Sequence, residues 1–178
     1  MSPCPVEPES TPPVTVGLFD SGLGGLSVLR AMQTHLPQAH LLYVADSGFA
    51  PYGERDEPFI VGRSLHISQF LLAQGAQALV VACNTATAAA IHEVRSSHPD
   101  LLLVGLEPAI KSALAVTKTG HVGVIGTRGT LTSAKFGKLM ASLADQAHFV
   151  VQPCDGLAHA IERSVALPVA PAAQPVES

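Results

Sequence analysis

ALVVACNTATAAA, residues 78–90, runs from an apolar stretch into an alanine-rich one through Cys83, Asn84 and Thr85. Its first half has no polar alternation and is rich in valine, as expected of a strand buried on both faces. Its second half favours helix, predicted over residues 84–97. Cys83 falls on the junction. A sulfur there lies near the positive end of a helix dipole, which favours thiolate over thiol. Asn84 and Thr85 add an amide and a hydroxyl beside the free N–H groups of a first helical turn, a set suited to a carboxylate. The competing reading is a buried structural cysteine, the commonest fate of a free thiol, and spacing does not separate the two. No second Cys or His stands at ligand spacing from Cys83, which argues against a metal.

The same grammar repeats outward. VTVGLF, HLLYVA, LLLVG, HVGVIG and HFVVQP are short apolar or β-branched runs bounded by polar, Gly or Pro residues. Each reads as a strand buried on both faces. Between two of them, residues 58–74 place Ile60, Ser64, Ile67 and Leu71 on one helical face, with Pro58 in the first turn. Alternating β and α segments imply an α/β fold with parallel sheets and right-handed crossovers. HPDLLLVGLEP sets two prolines around a strand and marks a change of domain. The expected organisation is a tail at 1–13, a first α/β domain at 14–100 carrying Cys83, an incomplete second α/β domain at 101–165, and a Pro/Ala-rich tail at 166–178.

Ligands of such sheets sit beyond the carboxyl ends of the strands. The residues just past each strand are Asp20-Ser21, Asp46-Ser47, Cys83-Asn84-Thr85, Glu107, Thr127 and Cys154. They are expected on one rim. Gly22-x-Gly24-x-x-Ser27 comes close to a dinucleotide fingerprint, and Asp46 falls near the place of its ribose-binding acid. Asp20 opposes that reading, because its charge would face the pyrophosphate. The glycines read as a tight β–α turn. Asp20 and Ser21 read as a site, able to accept from an ammonium and donate to a carboxylate. Glu107 lies within reach of the rim, although a helix entry explains Glu-Pro equally well. Arg55 reads as a loop salt bridge, and Lys111 and Lys135 as solvated. The predicted helical and strand-start histidines, His66, His92, His98, His121 and His159, read as surface or capping groups.

Composition narrows the classes. Charged residues make up 13% of 178 and the net charge is −4, with ten Lys and Arg scattered. The absence of a basic run disfavours nucleic acid and anionic membrane as partners. No apolar segment reaches the roughly 18 residues of a membrane span. The start, MSPCPVEPESTPP, lacks the basic and apolar parts of a secretory signal. Three distant cysteines suit a reducing cytoplasm. No G-x-S-x-G is present for a serine hydrolase.

Taken in order, VGLFDSGLGGLSVLR, YVADSGFAPYGER, LVVACNTATAAAI, VGLEPAIK and GVIGTRGTLTSAKF resemble the N-terminal part of the glutamate racemases, within the wider aspartate/glutamate racemase family. The resemblance runs from about Val14 to about Arg163. It implies cofactor-free racemisation of glutamate between two α/β domains, supplying D-glutamate for peptidoglycan. In that family one thiolate removes the α-proton and an opposite thiol delivers one to the other face. Cys83 matches the first thiol and Asp20 the acid beside it. Ser21, Tyr52, Gly53, Asn84, Thr85, Thr127 and Thr130 match substrate-binding positions. The family's second cysteine lies in a GCTHYP-type segment that this sequence does not contain. Cys154 follows a strand but does not match it. The expectation is half of an inverting site, with apolar faces left to pair with another chain, as in a homodimer. A non-catalytic amino-acid-binding remnant is the alternative; a nicotinamide domain is the third reading.

Overall fold

The computed structural model describes residues 12–166. Most of both expected tails, and Cys4 with them, lies outside this range. Strands β1 (Thr15–Asp20), β2 (His40–Ala45), β3 (Ala78–Val81) and β4 (Leu102–Gly105) form a parallel sheet in the order β2-β1-β3-β4. Helices α1 (Leu26–His35), α2 (Glu57–Ala73) and α3 (Asn84–Ser97) link them. A second parallel sheet pairs β5 (His121–Gly126) with β6 (His148–Pro153). Around it lie α4 (Ile110–Val116), α5 (Arg128–Leu131), α6 (Ala134–Ala141) and α7 (Leu157–Ala166). The α/β class with parallel sheets is as expected.

The strand read from LLLVG was assigned to the second domain, beginning at residue 101. It is hydrogen-bonded to β3 instead, with Leu103 opposite Leu79, so the first sheet extends past residue 100. Its inward residue supplies the reason: Leu103 is buried in the same core cluster as Leu79, Ile91 and Val94.

Alternation along β1 and β3 divides the first core. Val16, Leu18, Ala78 and Val80 face Val28, Leu29 and Met32 of α1. Phe19, Leu79 and Val81 face Ile60, Ile67 and Leu71 of α2 and Ile91 and Val94 of α3. The sequence assigned Ile60, Ser64, Ile67 and Leu71 to one face of α2, and all four are buried. Gly17 sits under this contact: a Cβ there would meet Leu79 Cδ2 at 2.8 Å.

Among the described residues β1 and β3 are buried on both faces, and β2 is partly covered on both, Leu41 and Tyr43 packing on one core cluster and Leu42 and Val44 on the other. The remaining strands were expected to be buried on both faces, and each has one exposed face. Leu102 is 68% exposed and Ile125 also 68%, while their neighbours Leu103 and Val124 are buried. Among the described residues, one face of the second sheet packs against Ile110, Leu131, Phe136 and Leu143. Its other face carries His121 and Ile125 of β5 beside His148 and Val150 of β6, all exposed. An apolar run specifies a strand, but not whether a helix lies on each side of it.

Candidate active site

Strand order reverses beside β1, whose following segment leads to β2 on one side and later to β3 on the other. The crevice at such a switch point is the usual ligand position. Asp20 ends β1, and Cys83 follows the adjacent β3 by two residues. They line a cleft of about 480 Å³ with Asn84, Thr85, Glu107 and Thr127. A groove of about 540 Å³ on another side of α3, reached by Arg55, His92 and Lys138, carries no thiol.

Cys83 is 6% exposed. It caps α3, its Sγ accepting the Ala86 N–H at 3.3 Å, and its thiol donates to Ser21 Oγ at 3.6 Å. The dipole argument predicted a thiolate, and the environment reverses it. Burial pushes the Cys83 thiol up, the Asp20 charge adds to this, and the hydrogen bonds with Ala86 and Ser21 offset only part of it. The resting group is a neutral thiol poised beside a carboxylate.

Asp20 is itself buried, and its Oδ2 accepts the Gly25 N–H at 2.8 Å. The glycine loop is therefore tight for a different reason than expected. Gly22 and Gly25 do not adopt positive φ. A Cβ at Gly25 would meet Asp20 Cβ at 2.6 Å, and one at Gly22 would meet Glu162 Oε1 at 1.9 Å. The glycines allow two carboxylates to close on the loop. Glu162, on α7, accepts the Leu23 N–H at 2.9 Å. Tyr43 Oη donates to Gly22 O at 2.9 Å and adds a third side-chain tie to the loop. Burial, then the charges of Asp20 and Glu162, push the Tyr43 phenol up to about 12. The nicotinamide reading fails here on electrostatics, since carboxylates occupy N–H groups that a pyrophosphate would need.

Asp46 also leaves that reading. Arg63 grips it through both oxygens, at 2.9 and 2.6 Å, and Tyr52 Oη donates to it at 2.5 Å. Burial opposes its ionisation, yet the bonds from Arg63 and Tyr52 outweigh burial and hold the carboxyl below its ordinary range. Tyr52 was matched to a substrate-binding position. Its side chain is 0% exposed and faces Asp46 in the core, not the cleft. Burial and the Asp46 bond push its phenol far upward, so it remains a donor.

Gly53 acts through what it lacks. A Cβ there would meet Thr127 Cβ at 2.3 Å, so only glycine lets the Tyr52–Glu54 turn touch the loop after β5. Thr127, Thr130 and Thr85 form a closed triangle of hydroxyls. Thr85 lies 3.1 Å from Thr127 and 2.9 Å from Thr130, and those two lie 3.0 Å apart. Three of the positions matched through the family resemblance thus meet where α3 packs on α5. Asn84 is exposed at the cleft mouth.

Other groups read from the sequence have different surroundings from those expected. Cys154 lines a separate small pocket with Pro51, Gly53 and Asp155, its thiol aimed at Gln152 O. Glu107 pairs with Lys135 at 3.3 Å, so that lysine is not merely solvated. Arg55 stacks over the Phe59 ring at 5.3 Å instead of forming the expected salt bridge. Glu162 escaped the sequence reading because its contact spans 139 positions and no local motif marks it.

A thiol and a carboxylate thus meet at a parallel-sheet switch point and line one open cleft. The match to known sequences is specific. Residues 25–173 match the Asp/Glu/Hydantoin racemase family model, and the chain belongs to that family. It is 56% identical over 147 residues to the glutamate racemase of Ectopseudomonas mendocina, covering 83% of this chain and 56% of that one. The glutamate racemase of Pseudomonas syringae pv. tomato is 51% identical over 158 residues, covering 89% and 57%. Among solved structures, Escherichia coli glutamate racemase in complex with L-glutamate and an activator superposes with a TM-score of 0.76 at 37% identity. That match covers 82% of this chain and 55% of the other. A glutamate racemase from Francisella tularensis in complex with D-glutamate gives 0.71 at 25% identity, covering 89% and 60%. The chain spans little more than half the length of the curated relatives it matches.

Proposed function

We propose that this chain binds glutamate in the cleft between Asp20, Cys83 and Thr127 and moves its α-proton through the Cys83 sulfur. The reading rests on one observation above all: the Cys83 thiol lies against Ser21 in the wall of a cleft that Asp20 also lines. The substrate's ammonium lies toward Asp20 and cancels the charge that, added to burial, keeps the thiol protonated. The thiol then loses its proton to solvent. The thiolate takes the α-proton: the S–H bond forms as the C–H bond breaks, and the electron pair passes to the α-carbon and its carboxylate. Asn84 and the first-turn N–H groups of α3 hold that carboxylate. Peptidoglycan precursor supply in the cytoplasm is the role this assigns.

Inversion needs a second acid on the opposite face. Among the described residues the other cysteine is Cys154, which lines a different pocket. The chain as given therefore exchanges the α-proton without inverting. Incubation of the pure chain with D-glutamate in heavy water tests this, following deuterium at Cα by NMR and optical rotation together. Deuterium uptake with rotation retained is expected. Full loss of rotation would overturn the half-site reading. Glutamate binding without exchange would reduce the cleft to a binding site.

A further inference from the structure

At the opposite end of the second sheet, His121 and His148 open β5 and β6 as direct register partners. Both are exposed, and their ring centroids lie 5.2 Å apart at an interplanar angle of 67°. His121 Nδ1 lies 3.0 Å from Thr119 O, a carbonyl that can only accept, so Nδ1 carries the proton and Nε2 keeps its lone pair. The turn is held elsewhere too. The His121 N–H donates to Thr119 Oγ1 at 3.2 Å, Thr117 Oγ1 donates to His121 O at 3.1 Å, and the His148 N–H donates to Gly120 O at 2.7 Å.

We propose that His121 and His148 form a bidentate site for a divalent transition-metal ion of the zinc–nickel class. Two imidazole nitrogens bound at about 2.1 Å with a tetrahedral angle stand about 3.4 Å apart. The two rings, with centroids 5.2 Å apart and steeply inclined, stand close enough to share one ion. A ligating histidine normally donates its other ring N–H to a carbonyl or carboxylate, as His121 does to Thr119. Parallel pairing on one face keeps both rings on the same side of the sheet. Among the described residues no cluster of three or more His, Cys, Asp or Glu forms a metal site, so water completes the shell. The ion clamps the free ends of a two-stranded sheet. Imidazole donors favour nickel, copper and zinc over magnesium or calcium.

Nickel is the probe of choice, because zinc would also seek thiolates. Titration calorimetry of the untagged full chain with nickel chloride should show one equivalent bound. Affinity should fall about tenfold or more in His121→Ala and in His148→Ala. His92→Ala, on exposed α3 surface, should bind as the wild type does, and magnesium should not bind. Unchanged nickel affinity in either single variant overturns the site, as does an equal loss in His92→Ala. Should a variant fold poorly, proton NMR of the wild type decides. Substoichiometric nickel should broaden two histidine ring systems and spare the others; uniform broadening overturns the proposal.

Discussion

Cys83 is held between opposing influences. The α3 N–H groups favour its anion, whereas burial and Asp20 disfavour it, and the second pair wins. Removing the Asp20 charge should therefore lower the thiol's pKa. In Asp20→Asn, Cys83 should be alkylated by iodoacetamide faster at pH 8 than in the wild type, as read by peptide mass mapping. In the wild type the partly exposed Cys154 should react first. Asp46 illustrates the opposite shift. Its carboxyl is lowered in the folded state, so it contributes stability above the ordinary carboxylate pKa of about 4, lost as pH falls through the lowered value. Because Arg63 is partly solvated, breaking the pair should cost about 2 kcal/mol, between surface and buried pairs. Asp46→Asn should show that loss by urea denaturation at pH 7 and a smaller loss as the pH falls below the ordinary carboxylate pKa.

At the scale of elements, contact between the two halves of the fold is concentrated where the Tyr52–Glu54 turn and α3 meet α5. Gly53 and the threonine triangle make that contact. Gly53→Ala forces a methyl against Thr127 and should destabilise by about 1–3 kcal/mol, the usual cost of overpacking. Thermal denaturation followed by circular dichroism measures it; an unchanged midpoint would mean the turn yields freely. Strand ends were legible in the sequence because Asp20, Cys83 and Thr127 each follow an apolar run and precede a helix. The helix at 84–97 was predicted to its observed bounds, and that at 58–74 lies at 57–73, because capping and periodicity agree there. What a side chain does after the strand ends was not legible. Tyr52 turns inward because Asp46 and Arg63 wait for it, and Glu162 reaches Leu23 across most of the chain. Neither partner is marked by spacing.

For the whole molecule, the outer strands decide behaviour in solution. Ile125 and Val150, 68% and 57% exposed, share one face of a sheet that has two strands among the described residues. Leu102 and Val104 line the outer side of β4, at the edge of the first sheet. Two-stranded sheets are marginal alone, and open apolar edges seek partners. The melting midpoint should therefore rise with protein concentration, and sedimentation should show self-association that Ile125→Lys weakens. A sharp, concentration-independent melt of a monomer would contradict this. The same outer strands account for an expectation that failed, since an apolar strand reads alike whether one face or both are covered.

The most direct measurement compares wild type with Cys83→Ala for deuterium entry at Cα of D-glutamate in heavy water. Proton transfer by a positioned group contributes about 10²-fold or more. The variant, folded by circular dichroism and still binding glutamate, should lose exchange by at least about that factor. Exchange at the wild-type rate without the sulfur would contradict the account.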